Sequence, residues 1–240
     1  MAENLLAAVL VVTIAVTVAR TSVWRSEPKT RLLTVVLALF AVSGTATHPW
    51  VRHAVDTYLE LPGWTGIIDD VVLLTAVCLM CAYLARAWGF TTVARTAVCA
   101  APILAASLAL AYAVAEHSGR HRHYIGELSR PATVYGLIVS VGLLVVTLVM
   151  FVTVLVARPP SLTQLWFGIA AAAGIVLAGL RTCATIDPGR FADPFWSSRC
   201  SLWTVFLLSV SAAGVTNLRG KRRSRVADGS VPPSPRTRKP

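Results

Sequence analysis

The chain has 240 residues, 55% of them hydrophobic and only 14% charged, with a formal net charge of +11 and a mean hydropathy of +0.67. Soluble domains carry about 25% charged residues, so these values exclude an ordinary soluble domain and a disordered scaffold. They are the values of a polytopic membrane protein.

A helix that crosses hydrocarbon needs about 17–25 mostly apolar residues. Seven segments approach or meet that length: Leu5–Ala19, Leu32–Thr47, Trp64–Ala85, Thr96–Ala115, Thr133–Ala157, Leu165–Leu180 and Leu202–Leu218. The expected organisation is all-α: a seven-helix transmembrane bundle over residues 1–218, then a disordered basic, Pro- and Ser-rich tail over 219–240. Loops this short leave no room for a separate soluble domain, so function is expected in the bundle, its loops or the tail.

The first segment differs from a signal peptide, which has a basic start. Here Met1-Ala2-Glu3-Asn4 carries no Lys or Arg, and the basic residues Arg20, Arg25, Lys29 and Arg31 follow the apolar run. That order fits an uncleaved span with its N-terminus outside. Counted on alternate sides of seven spans, 15 Lys and Arg fall with the first loop and tail and 7 on the other side. Cytoplasmic loops carry the excess, so the N-terminus is expected out and the C-terminus in. Without the tail the two sides tie at 7 each. The seven Trp residues, from Trp24 to Trp203, all fall in loops or near span edges, where indole rings favour the headgroup region. Arg far outnumbers Lys, and Ala and Val are abundant. That usage suits a G+C-rich genome, and a bacterial cell membrane is expected.

The second loop, expected on the outer side, holds Thr47-His48-Pro49-Trp50-Val51-Arg52-His53 and ends in the turn Pro62-Gly63. One to two turns into the third span come Asp69 and Asp70. A carboxylate at the bilayer centre costs about 2.5–3.5 kcal/mol on insertion scales. Side chains at adjacent positions point about 100° apart on a helix, so only one faces a given cavity squarely. The functional expectation is a polar cavity open to the outer side, a proton or cation site built from Asp69, Asp70, His48, Arg52 and His53. The blander alternative is an interfacial pair satisfied by water and a nearby Arg or His.

Pro102, inside the fourth span, is expected to kink it. His117, His121 and His123 could gather a metal by spacing, but Gly119 breaks the helical register and Arg120 and Arg122 repel a cation, so no metal site is assigned. Cys78 and Cys81 form a CxxC in an apolar span, where thiols are inert. In the sixth span Ala170, Gly174 and Ala178 repeat every four residues and make a smooth face for close helix packing, within the chain or between copies. Cys183 and Cys200 fall in the expected outer sixth loop, where a disulfide is permitted; it would staple the last two spans.

The tail begins Arg219-Gly-Lys-Arg-Arg-Ser-Arg, and each basic residue near an anionic leaflet contributes about 1 kcal/mol. Its expected partners are anionic lipids and, as an alternative, a cytoplasmic protein. Nucleic acid is not expected, because the charge is confined to loops and tail. There is no P-loop, GxSxG, HExxH or GxGxxG, and neither a cofactor nor an enzymatic activity is expected.

The stretch Arg31–Ala87 resembles the start of an actinobacterial group of seven-helix integral membrane proteins usually described as transporters. The resemblance lies in the basic first loop, the second span, the Pro49–Asp56 and Leu61-Pro62-Gly63 segments and the apolar span that follows. It implies a transporter-like bundle and carries over no substrate residues. Members typically continue into a cytoplasmic C-terminal domain, and here only the short basic tail follows. Two functions are therefore expected: a transporter-like or channel-like bundle, or a sensory or regulatory module whose tail signals to a cytoplasmic partner.

Overall fold

The structure is a computed structural model that describes residues 2–22, 24, 30–58, 64–117, 130–158 and 161–229. These form eight helices and no strand: α1 Ala2–Thr21, α2 Arg31–Thr47, α3 Pro49–Tyr58, α4 Trp64–Ala87, α5 Thr91–His117, α6 Arg130–Val156, α7 Leu162–Ile186 and α8 Pro188–Gly229. Six of them (α1, α4, α5, α6, α7 and α8) are long and apolar enough to cross a membrane, and α2 is an apolar helix one residue shorter than that group's minimum of 18.

The connections follow local chemistry. Between α4 and α5 the chain reverses at Gly89, the one described glycine with positive φ, at 85°. The Phe90 N–H reaches the Ala85 carbonyl at 2.7 Å and the Gly89 N–H reaches Arg86 at 3.3 Å. This is a Schellman cap, which a residue without Cβ enters at low cost. Ser161 caps α7 by accepting the Gln164 N–H at 3.1 Å. The Gln164 amide in turn donates to the Val154 and Ala157 carbonyls at 2.5 and 2.9 Å, so it closes the end of α6.

The packing pairs α2 with α4, α4 with α6, α6 with α7, α7 with α8, and α8 with α2. That closes a ring of five helices. Outside it, α1 lies against α2 and α8, and α5 against α4 and α6. The two outer helices are accordingly the least enclosed, with 28% and 17% of their apolar windows buried against 61% for α4. Within the ring, Phe40 packs edge-on against Trp203 and Phe206 with ring centroids 6.3 and 4.9 Å apart. Most hydroxyls in the spans donate to the carbonyl four residues back, as Thr13, Thr75, Thr147 and Thr153 do at 2.7–2.8 Å. That satisfies them without solvent.

Four expectations change here. The second loop contains a short helix, α3. The sixth loop is almost absent: α7 runs on to Ile186, α8 starts at Pro188, and Asp187 alone joins them. The Asp187 N–H bonds the Cys183 carbonyl at 2.8 Å and its own carbonyl accepts from Phe191 at 3.2 Å, so one residue ends one helix and starts the next. Pro188 suits that first position, where no N–H is needed. The basic segment thought disordered begins inside α8, which continues to Gly229 because straight-chain Lys and Arg favour helix; residues 230–240 lie outside the described residues. Finally, Trp203 is not a boundary residue but is 3% exposed in the core, because α8 starts earlier than its hydropathy indicates.

Candidate membrane-embedded site

Asp69 and Asp70 occupy adjacent positions on α4 and are both buried. The roughly 100° between them on a helix sends them to different neighbours. Asp69 turns to α2, where the hydroxyls of Ser43 and Thr47 donate to its two oxygens at 2.5 and 2.6 Å. From α8, Arg199 approaches Asp69 Oδ2 at 3.4 Å and lies over the Trp196 ring at 5.1 Å. Asp70 turns to α6 and α7. Tyr135 donates to Oδ2 at 2.8 Å, and Arg181 spans both oxygens at 2.7 and 2.9 Å. Bidentate pairing of this kind is among the stronger charged contacts. The two carboxylates thus tie α4 to every other helix of the ring.

A cavity opens beside this cluster. Its polar end is formed by Thr47, Asp69, Arg181 and Arg199, and its apolar wall includes Leu73, Leu143, Phe195, Trp203 and Phe206. Counted as the room open to the centre of a water molecule, its volume is about 40 Å³. One water needs about 10–15 Å³ on that measure, so it accommodates a few waters or a compact solute. Asp70 is not in its wall, and its oxygens are already taken. Asp69 is in the wall and holds the longer ion pair. Arg181 is in the wall too, and its Nε–H is buried with no hydrogen-bond partner. The formal charges of the two Asp and two Arg cancel. The cluster as built therefore lacks an acceptor near Arg181, whereas a site prepared for a cation would show an uncompensated carboxylate.

Of the expected cavity residues, the structure gathers Asp69 and Asp70. His48 ends α2 and its Nδ1 accepts the Trp50 N–H at 3.3 Å. His53 is exposed on α3, and the Arg52 side chain lies outside the described residues. The partners that replace the histidines are Ser43, Thr47, Tyr135, Arg181 and Arg199. The two arginines looked like loop residues in the sequence, since each sits just beyond an apolar run. What could have found them is the helical register of α7 and α8 continued past those runs. Cys183 and Cys200 are free thiols, one exposed on α7 and the other packed against the core from α8, so the bridge between them is not formed. His121 and His123 lie outside the described residues, as does the side chain of His117, and no metal-binding group occurs among the described ones. No family model, curated protein or solved structure matches the chain.

Proposed function

We propose that this is a seven-span integral membrane protein of a bacterial cell membrane, N-terminus out and C-terminus in, working as a transporter-like or channel-like bundle. Its solute site is the cavity closed by Asp69, Arg181 and Arg199. The observation that carries this reading is the cavity itself, inside a ring of apolar helices, with three charged side chains, Asp69, Arg181 and Arg199, at one end. Ionisable groups in spans are costly and mark functional sites by default. Seven spans are supported by the length of α2: its 17 residues at ~1.5 Å each reach about 26 Å, close to a thin bilayer core. The 15-to-7 distribution of Lys and Arg supports the orientation, and the resemblance of Arg31–Ala87 supports the class. No catalytic role is assigned.

Uptake and pH-gradient assays in proteoliposomes test the proposal. Asp69→Asn is expected to reduce flux while the bundle stays folded. Equal flux in wild type, Asp69→Asn and Asp70→Asn removes the support for transport.

One observation favours the second reading, a sensory module. The helix that supplies Arg199 and Trp203 to the cavity continues unbroken to Gly229 through the basic segment, so a ligand in the cavity acts directly on the cytoplasmic end. A cytoplasmic protein captured by the full chain, and lost when 219–240 is deleted, supports it. Equal capture with and without the segment rules it out.

A further inference from the structure

A second polar cluster lies at the opposite end of the bundle from the carboxylates. Along α4 it is centred on Tyr83, 14 residues beyond Asp69, which is about 21 Å of helix. Its centre is Arg20, in the last turn of α1, with 0% exposure. Arg20 Nη1 donates to the Gly214 carbonyl of α8 at 2.9 Å, and Nε reaches the Thr34 hydroxyl of α2 at 3.4 Å. Nη2 has no partner. Tyr83 of α4 stands near both Arg20 and the Asn217 side chain. Asn217 lies one turn beyond Gly214 on α8, is half-buried, and has an unpartnered amide oxygen. No carboxylate pairs with Arg20 among the described residues.

A guanidinium stays charged at any ordinary pH, and a buried charge normally has a counter-charge. The two other membrane-embedded arginines, 181 and 199, each have one. We propose that Arg20 is an anion-binding site, taking a compact monovalent anion of the chloride or nitrate class between its Nη2 and the Asn217 side chain. Turning the Asn217 amide presents its N–H₂ to the anion and removes the unpaired oxygen. Because Asn217 is half-buried, it also marks the way in. The site is distinct from the Asp69 cavity and holds whether the bundle transports or senses.

The test is thermal unfolding of the full chain, purified in maltoside without phosphate. Sodium chloride or sodium nitrate is titrated against sodium gluconate at constant ionic strength. Ligand binding to the folded state alone raises the midpoint, by on the order of 5 °C near saturation. Wild type is expected to show that rise with chloride and nitrate and not with gluconate. Arg20→Gln is expected to abolish it. Asn217→Asp supplies an internal counter-charge, so its anion-free midpoint rises and its chloride response disappears; this variant decides the matter if Arg20→Gln does not fold. Arg181→Gln is expected to keep the response. A wild type indifferent to chloride and nitrate overturns the proposal. So does a response retained in Arg20→Gln or Asn217→Asp, or one lost only in Arg181→Gln, which would place the anion in the outer cavity.

Discussion

Asp70 and Arg181 form a pair in which each side chain depends on the other. With side-chain exposures of 6% and 19%, neither is rehydrated easily if its partner is removed. Breaking one side of a buried pair costs about 3–5 kcal/mol, and removing both costs much less. Asp70→Ala is therefore expected to destabilise the bundle by several kcal/mol, and Asp70→Ala with Arg181→Met to recover most of the loss. Unfolding in a mixed-detergent titration checks both, and a double variant as weak as the single would show that the pair is not the cause. Asp69→Asn should cost less, about 1 kcal/mol. The amide can still accept from Ser43 or Thr47, and the Arg199 contact is already 3.4 Å long. The same titration is therefore expected to rank Asp70 above Asp69, whereas the proposed transport function expects the larger effect on flux from Asp69, which lines the cavity. The pair of carboxylates was visible in the sequence. Their arginine partners were not, since residues 111 and 130 positions away become neighbours only when α7 and α8 close the ring across from α4.

On α7 the repeat of small residues has a definite job. A Cβ added at Gly174 would lie 2.9 Å from Thr147 Cγ2 and 3.6 Å from Phe206, while one at Gly179 meets nothing within 4 Å. Gly174→Ala is expected to force α6 away from α7 and to destabilise by about 1–3 kcal/mol. Gly179→Ala is expected to be neutral or to stabilise by up to ~1 kcal/mol, because alanine favours helix. Midpoints of thermal unfolding separate the two, and equal midpoints would mean that this face is not tightly packed. Ala170 and Ala178 are buried on the same side, so the stripe is spent on contact within the chain. The helices extend beyond the apolar runs that mark them. Hydropathy stops where Arg181 and Arg190 appear, but backbone hydrogen bonding does not, and α7 and α8 run on until Asp187 divides them.

For the whole molecule, the ring of α2, α4, α6, α7 and α8 encloses polar groups at two levels. Between the Asp69 cluster and the Arg20 cluster lies a dry layer that includes Phe40, Met80, Phe206 and Leu207, each no more than 2% exposed. Passage of a solute between the levels requires this layer to open. Phe206→Ala is accordingly expected to leave the fold assembled, at a cost of about 3–5 kcal/mol, and to raise leak through proteoliposomes. An unchanged leak with a folded variant would locate any path elsewhere. The proposed orientation rests on eight basic residues after 218. Neutralising all of them leaves the two sides tied at 7 each, and the expected result is a mixed orientation, read by a reporter fused at the C-terminus. A reporter that stays on one side would assign the orientation to the first loop alone.

By itself the sequence determined that this chain is a helical membrane protein, because long uncharged apolar runs without the in–out alternation of a barrel strand satisfy their backbone polar groups in lipid as helices. It also marked Asp69 and Asp70, since charge inside an apolar run is conspicuous in one dimension. It could not show which arginines answer them, that Trp203 faces inward, or that Arg20 is buried on α1 with no carboxylate paired to it among the described residues. Those outcomes depend on which helices pack together. In lipid, where no hydrophobic force separates one apolar face from another, packing is decided by small residues, hydrogen bonds and ion pairs acting across the ring.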